Sequence, residues 1–263
     1  MPLLRRKCGA LYYRVQGEGV PILFIHPPLL TSDNFNYQAE QLSRQYKIVT
    51  FDIRGHGYSD ASNEAVTYPL IVQDMVQLMD SLGIQKAYVC GYSTGGGVAL
   101  EALLSYPERF SGAVVISGMS EASDWRLRSR ISLAVALTAM KAKQLLSLAI
   151  VWGNANNRAM FDTLLRTARQ GCVDNWQQYY RSSLLYDSTA RLSAITAPVL
   201  MIYGERDKRF FRYADKLKSV LPQSELVWIA GAKHQIPTKH AHTMNMLIER
   251  WIQHMEPAHR TRL

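Results

Sequence analysis

The sequence predicts an α/β domain with a mostly parallel central sheet and helices on both of its faces. Short apolar runs alternate along the chain with segments whose apolar residues recur at helical spacing. The strand-like runs at 22–25 and 87–90 are almost continuously apolar, which is typical of strands that are buried on both sides. Regular alternation of such strands with helices indicates a parallel sheet between helical layers. The 263 residues are enough for one domain of this kind with a smaller insertion.

The strands are predicted from apolar runs that end at turn-forming residues. They fall at 11–15, 22–25, 46–51, 87–90, 113–116, 199–203 and 226–229. A Gly-Glu-Gly turn at 17–19 separates the first two of them. A second glycine-rich turn is predicted at 91–97, between a strand and the helix that follows it.

The helices are predicted from apolar residues that share one helical face. The clearest is 67–82, where Thr67 can cap the start and Gly83 follows the end. Further helices are predicted at 98–106 and, close to the end of the chain, across the apolar face of 244–252.

Residues from about 119 to 197 break this alternation. They are rich in Ala, Leu, Arg and Gln and contain few strand-like runs, which is typical of several helices inserted as a lid. The segment holds a cluster of aromatic residues: Trp125, Trp152, Phe161, Trp176, Tyr179, Tyr180 and Tyr186. We therefore predict a core made of residues 1–118 and 198–263 and a helical cap made of 119–197. Its most apolar stretch, 131–152, is interrupted by two lysines and is predicted to be a buried or pocket-lining helix rather than a membrane span.

The charge of the chain bears on its partners. The formal charge is +9, from 30 Lys and Arg against 21 Asp and Glu. The basic residues are scattered, apart from 5–7 and the tail around Arg260 and Arg262. Because no dense basic stripe is present, we expect a solvated basic surface rather than a nucleic-acid interface.

The cysteines and the N-terminal residues indicate where in the cell the protein is expected. Cys8, Cys90 and Cys172 lie far apart and lack the spacing of metal ligands, so no metal is expected. A sparse, odd set of cysteines favours reduced thiols and a cytoplasmic location. The charged N-terminus is not followed by an apolar segment, so we expect no secretory signal.

A candidate nucleophile lies where the strand at 87–90 meets the next helix. Residues 91–95 read Gly-Tyr-Ser-Thr-Gly and match the G-x-S-x-G pattern of a nucleophile elbow. A serine at the apex of such a turn is exposed to substrate, and the flanking glycines let the strand and the helix pack closely. The N-terminus of the helix beside Ser93 also favours developing negative charge.

A serine nucleophile needs a base, and the base needs a carboxylate that orients it. Asp207 follows the predicted strand 199–203, and His234 follows the predicted strand 226–229. Parallel strands bring their carboxyl ends to one edge of a sheet, where such sheets place their functional loops. Ser93, Asp207 and His234 are therefore predicted to form a catalytic triad.

Three other carboxylates stay open as the acid of this triad. Glu205 is two residues from Asp207, and Glu121 and Asp124 follow the strand at 113–116. Each would lie near the same edge of the sheet.

These residues make the chain resemble the α/β-hydrolase superfamily from about residue 11 to 255. Residues 51–60 read Phe-Asp-Ile-Arg-Gly-His-Gly-Tyr-Ser-Asp and are similar to the D-x-R-G-x-G-x-S loop of that family. The helical segment before Pro198 resembles its cap domain. The resemblance implies a carboxylesterase-like serine hydrolase that works through an acyl-enzyme and needs no cofactor.

The resemblance also implies an oxyanion hole. One donor would be the backbone N–H of Thr94, and the family usually supplies the other from the third residue of a His-Gly-x loop. This chain has His-Pro-Pro-Leu at 26–29, and proline has no N–H to donate. Leu29 is therefore the candidate for the second donor. The alternative is a hole with one donor, at a cost of about 3–4 kcal/mol of transition-state stabilisation.

Other functions use the same framework. A C–C bond hydrolase, a lyase or an intracellular polyester depolymerase would keep the triad, and a slow-turnover small-molecule receptor of this fold is a further alternative. The intact triad opposes a receptor, whereas Pro28 favours one. The expected partner is a small, largely apolar ester. Neither nucleic acid nor a membrane is expected, and a homodimer stays open. The sequence does not identify the cap residues that line the pocket.

Overall fold

The centre of the molecule is one twisted sheet in a computed structural model that describes residues 2–6 and 9–256. Within these residues eight strands form the sheet: β1 (Leu3–Leu4), β2 (Leu11–Gln16), β3 (Val20–Ile25), β4 (Tyr46–Phe51), β5 (Ala87–Tyr92), β6 (Phe110–Ile116), β7 (Val199–Gly204) and β8 (Ser224–Ile229). Their order is β1-β2-β4-β3-β5-β6-β7-β8. Strand β2 pairs antiparallel with both β1 and β4, and the remaining pairs, from β4 across to β8, are parallel. The predicted mostly parallel sheet is confirmed.

Helices cover the sheet on both faces. Ten α-helices occur in the described part of the chain: α1 (Asn36–Leu42), α2 (Tyr68–Ser81), α3 (Thr94–Ser105), α4 (Trp125–Ala139), α5 (Lys143–Asn154), α6 (Arg158–Ala168), α7 (Val173–Leu185), α8 (Phe211–Val220), α9 (Ile236–Lys239) and α10 (Ala241–Met255). Helix α3 packs on β3, β5 and β6 and against α2, whereas α1 packs on β4 and against α10. All six residues of β5 are buried, which requires cover on both sides of the sheet.

The helix after the predicted elbow begins earlier than expected. Helix α3 starts at Thr94, so the prediction of a turn across 91–97 is wrong for its second half. The reason is packing. A Cβ atom on Gly97 would lie 2.8 Å from the Tyr68 ring, and one on Gly96 would lie 3.0 Å from Gly118 Cα. These glycines let α3 approach its neighbours, and this contact outweighs their low helix propensity.

The apolar stretch 131–152 forms two helices, so its prediction as a single helix is wrong. Helix α4 ends at Ala139 and α5 begins at Lys143. Between them Lys141 has φ +56°, and the Ala142 N–H donates to the Leu137 carbonyl at 2.9 Å, which closes the end of α4. Several of its apolar side chains are exposed, Leu133 and Leu145 among them. In the part of the chain that the structure describes, no helix is both long and apolar enough to span a membrane.

Helices α4 to α7 lie between β6 and β7 in the chain and over the carboxyl ends of the strands. The Tyr179 hydroxyl of α7 donates to the carbonyl of His26, directly after β3, at 3.3 Å. The Asn175 side chain exchanges two hydrogen bonds with the Ser62 backbone, at 2.9 and 3.0 Å. These contacts join α7 to the core loops. The division of the chain into a core and a cap at 119–197 stays a prediction.

The cysteines differ in their surroundings. Cys90 is buried in β5, and burial raises the pKa of its thiol well above its ordinary value. Cys172 is half-buried and free. Cys8 lies outside the described residues, as do Arg260 and Arg262 of the basic tail.

Two buried histidines connect the loops after β3 and β4. His26 Nε2 accepts a hydrogen bond from the Ile53 N–H at 2.9 Å, and His56 Nδ1 lies 3.0 Å from the Arg54 carbonyl. Their ring centroids are 5.2 Å apart. Burial lowers the pKa of both rings, that of His56 to about 4. Both are therefore neutral parts of the loop framework at neutral pH.

Because burial lowers the pKa of His56, we expect the free energy of unfolding to depend on pH. An unfolded histidine titrates near pH 6.5. Between pH 6.5 and 4, His56 is therefore protonated in the unfolded chain and neutral in the folded chain. Stability is then lost as pH falls through this window, by about 2 kcal/mol between pH 7 and pH 5 for His56 alone. Burial also raises the pKa of Asp52 to about 6. The folded state therefore keeps a proton on Asp52 that the unfolded state releases, and this offsets about 1 kcal/mol of the loss.

The His56→Gln variant isolates the histidine contribution. Urea unfolding at pH 7 and pH 5 should show a loss of stability on acidification that is about 2 kcal/mol smaller in the variant than in the wild type. The comparison is made within each protein, so the packing cost of the substitution cancels. An equal loss in both proteins would contradict a neutral, buried His56.

Candidate active site

Ser93 occupies a strained turn between β5 and α3. Its backbone has φ +56° and ψ −120°, which is a costly conformation for any residue with a Cβ, by about 1–3 kcal/mol. The turn is held by the Ser93 N–H, which donates to the Ile116 carbonyl at 2.8 Å, and by the Ser93 carbonyl, which accepts from the Gly96 N–H at 2.9 Å. The surrounding hydrogen bonds thus fix the serine at the carboxyl end of the sheet.

The glycines of the 91–95 motif have the role that the sequence predicted for them. A Cβ atom on Gly91 would lie 2.1 Å from the Gly95 carbonyl oxygen, and one on Gly95 would lie 2.4 Å from the Ile25 carbonyl oxygen. Either atom would push the strand and the helix apart. Only glycine at both positions permits the sharp turn that presents Ser93.

His234 and Asp207 lie beside Ser93 in a continuous hydrogen-bonded row. His234 Nε2 is 3.0 Å from Ser93 Oγ, and His234 Nδ1 is 2.7 Å from Asp207 Oδ2. Phe210 and Tyr92 contact the imidazole, with ring centroids 4.4 and 5.5 Å from its own. The structure therefore brings together the three residues that the sequence singled out, each at the end of a different strand.

The alternative carboxylates have other partners. Glu205 accepts a hydrogen bond from the Gly231 N–H at 2.9 Å. Glu121 forms an ion pair with Lys216. Asp124 caps α4 by accepting from the Leu127 N–H at 2.9 Å and lies 3.5 Å from an Arg212 nitrogen. None of these contacts involves His234.

Ser93 opens into a cavity of about 230 Å³ between the sheet edge and helices α4, α5 and α7. Its floor is formed by the ends of β3, β5 and β7 with the loop before α9. Its apolar wall includes Met119, Leu127, Ile131 and Ile150. Arg130 and Arg209 also reach it. In residues 2–6 and 9–256 no group of three or more His, Cys, Asp and Glu side chains is placed to hold a metal ion.

The candidate oxyanion donors differ in their positions. Thr94 lines the cavity at the start of α3. Leu29 does not reach the cavity wall, although its neighbours Pro28 and Leu30 do. Leu29 is fully buried and has φ +73°, a left-handed conformation that turns the chain after the two prolines. Among the described residues, no acceptor is found for the N–H of Leu29 or Leu30.

The aromatic residues of 119–197 mostly lie away from the cavity. Trp125 and Trp152 are 68% and 76% exposed, and Trp176 is buried beside His56. Tyr180 is the member of that cluster that lines the cavity. The α4 residues on the wall, Leu127, Ile131 and Ala134, follow the spacing i, i+4, i+7 in the sequence. That spacing in the sequence indicates the residues that line the pocket, whereas the tryptophans do not.

Comparison with known proteins assigns the family. A family model described as the alpha/beta hydrolase fold matches residues 20–142. The 3-oxoadipate enol-lactonase 1 of Acinetobacter baylyi is 30% identical over 214 residues, which cover 78% of this chain and 79% of that protein. The chain belongs to the α/β-hydrolase family.

Solved structures of α/β-hydrolases have the same fold. A thermophilic esterase from Thermogutta terrifontis superposes with a TM-score of 0.84 at 18% identity, covering 97% of this chain and 99% of that chain. The enol-lactonase from Burkholderia xenovorans superposes with a TM-score of 0.85 at 17% identity, covering 96% of this chain and 100% of the other. At these identities the likeness shows the fold, and the chemistry has to be argued from the site.

Proposed function

We propose that this α/β-hydrolase cleaves a carboxylic ester, or a related acyl bond, through an acyl-enzyme on Ser93. The observation that carries the proposal is the row Ser93–His234–Asp207, with distances of 3.0 and 2.7 Å, on the wall of a cavity that could hold a small substrate. Relatives named as an enol-lactonase and, for the fold, as an esterase support the same class of reaction.

The row is arranged for proton transfer. His234 Nε2 accepts the Ser93 hydroxyl proton as Oγ attacks the carbonyl carbon, and the imidazolium then protonates the leaving alcohol. Asp207 accepts from His234 Nδ1, which keeps Nε2 free to act as the base and stabilises the charged ring. A water molecule activated by the same histidine then releases the acid and restores Ser93. The mechanism requires no cofactor.

The oxyanion would be held by backbone amides. We propose the Thr94 N–H as one donor, because α3 begins there and its N-terminus favours negative charge. Leu29 stays our second donor. Leu30 is added as an alternative because it reaches the cavity, whereas Pro27 and Pro28 have no N–H.

The main rival of a different class is a receptor that binds a small molecule without turning it over. The two prolines in the oxyanion loop favour it, since they remove the usual donor. A hydrolase of C–C bonds or a lyase with the same triad is the nearer rival. We also propose a cytoplasmic location, a cap role for residues 119–197, and no nucleic-acid or membrane partner. A homodimer stays open.

Ester turnover tests the proposal. The purified protein should release p-nitrophenol from p-nitrophenyl acetate and butyrate over many cycles, since typical enzymes turn over about 1–10³ times per second. A fluorophosphonate should label Ser93 and abolish the activity. A receptor would release at most one equivalent of p-nitrophenol, and that result would reject the hydrolase.

The phosphonylated protein also tests the oxyanion donors. Its crystal structure should show the phosphoryl oxygen about 3 Å from the Thr94 N–H and from the N–H of Leu29. A contact to Leu30 would move the second donor by one residue. A contact to Thr94 alone would leave a one-donor hole.

A further inference from the structure

Two arginines on the wall of the Ser93 cavity have no acidic partner in the part of the chain that the structure describes. Arg130 projects from α4, and Arg209 lies in the short helical turn directly after Asp207. Within the described residues neither guanidinium forms an ion pair or a hydrogen bond with the protein. Both side chains are exposed, so water solvates them in the free protein.

The carboxylates that could neutralise this pair are engaged elsewhere. Asp207 is the acidic residue on the cavity wall, and its carboxylate accepts from His234. Asp124, at the start of the helix that carries Arg130, caps that helix and pairs with Arg212. Glu121 pairs with Lys216. Among residues 2–6 and 9–256, the cavity lining therefore contains two arginines and one carboxylate, and that carboxylate is hydrogen-bonded to His234.

The wider charge distribution has the same sign. Residues 119–197 contain ten Lys and Arg against five Asp and Glu, so more than half of the formal charge of +9 lies in the segment that carries Arg130 and the helices α4 to α7. A cleft lined by positive charge raises the local concentration of anions and speeds their association. The cavity lining also includes apolar side chains, among them Leu127, Ile131 and Ile150.

From this arrangement we propose that Arg130 and Arg209 form a subsite for a carboxylate on the substrate, so that the preferred ester carries an anionic group beyond an apolar spacer. The proposal rests on the ester hydrolysis proposed above. A guanidinium presents paired N–H donors that match the two oxygens of a carboxylate. The apolar wall would contact the methylene chain between that carboxylate and the scissile carbonyl. The role is in specificity, because the carboxylate does not change its charge during the reaction.

The test compares two substrates that differ by one charge. These are the mono-p-nitrophenyl ester of adipic acid and the same compound with its free carboxylate converted to a methyl ester. The wild type should have the higher kcat/KM on the anionic ester. In Arg130→Gln/Arg209→Gln the ratio of the two kcat/KM values should fall about tenfold, because an exposed ion pair contributes up to about fivefold and two are removed. The loss should lie mainly in KM, since ground state and transition state share the contact.

Matched controls separate this contact from net charge. Arg126 lies on the same helix as Arg130, and Arg206 lies in the same loop as Arg209, but neither Arg126 nor Arg206 lines the cavity. The Arg126→Gln/Arg206→Gln variant should keep the wild-type ratio at constant ionic strength. Raising the salt concentration should lower the ratio of the wild type toward that of the cavity variant, because screening weakens exposed charge pairs.

The outcomes distinguish the two proposals. Turnover of both esters with no anionic preference, or with the same ratio in wild type and cavity variant, would overturn the subsite and leave the hydrolase standing. If neither ester is turned over, the proposed function fails, and calorimetric binding of monomethyl adipate decides the subsite. Binding about tenfold weaker in the cavity variant than in the control variant would support it. Equal binding would overturn it.

Discussion

Ser93→Ala should lower kcat on p-nitrophenyl esters by about 10⁶ and abolish labelling by a fluorophosphonate, while the fold is preserved. The size of the effect follows from the chemistry, because the loss of a triad serine leaves only what the remaining donors and substrate binding supply. The substitution removes the Oγ that lies 3.0 Å from His234 Nε2 and leaves the backbone turn unchanged. Alanine has a Cβ as serine does, so the strain at φ +56° is the same in both proteins.

The measurement needs a folding control and a serine control. Far-UV circular dichroism and the unfolding midpoint should match those of the wild type. Ser81, at the end of α2, is not among the residues that line the cavity, so Ser81→Ala should retain full activity and labelling. A Ser93→Ala protein that kept a tenth of the wild-type kcat would show that another residue is the nucleophile.

The sequence predicted the turn at Ser93 because the constraint there is local. A serine between two glycines, with a strand before it and a helix after it, can be recognised from neighbouring residues alone. The structure gives the reason, since a Cβ at Gly91 or Gly95 would clash with backbone within a few residues or on the adjacent strand. Asp207 and His234 were predictable for a different reason. Parallel topology brings the ends of successive strands to one edge, so their place in the chain order was enough.

The composition of the cavity was not predictable in the same way. Trp125 and Trp152 suggested a cavity lining in the sequence, but both are exposed in the structure. The position of an apolar residue on a helix shows which face of that helix it occupies, and it does not show what that face packs against. The interruption at Lys141 was missed because no glycine or proline marks it. The left-handed conformation of the buried Leu29 was not predicted either, because no glycine or asparagine marks that position in the sequence.

The two arginines show what only the structure adds. Arg130 and Arg209 are 79 positions apart, and the sequence contains 30 Lys and Arg with nothing to single these two out. Their significance comes from lining the same cavity as Ser93, while Asp124 and Glu121 form ion pairs with Arg212 and Lys216. The sequence had suggested a solvated basic surface, and the structure places part of that charge where a substrate would lie.

Asp207→Asn should lower kcat by about 10⁴ at neutral pH. Asp207 Oδ2 accepts from His234 Nδ1 at 2.7 Å, which keeps the proton on Nδ1 and leaves Nε2 free to accept from Ser93. An asparagine amide can donate to Nδ1 instead, and that contact favours the tautomer with its proton on Nε2. Such a ring faces Ser93 as a donor and cannot take the hydroxyl proton. The amide also fails to stabilise the imidazolium that forms in the transition state.

Glu205→Gln is the matched control for this substitution, because it makes the same chemical change two residues away. Glu205 Oε2 accepts from the Gly231 N–H at 2.9 Å, in the loop that leads to His234, and a glutamine oxygen can keep that bond. Its kcat should fall less than tenfold, since one neutral hydrogen bond contributes about 1 kcal/mol and is retained in part. Measured side by side on p-nitrophenyl butyrate, the two variants should differ by about three orders of magnitude or more. The opposite ranking would assign the acid to Glu205. Two mild effects would instead direct the search to Glu121 and Asp124, although their carboxylates contact Lys216 and Arg212 rather than His234.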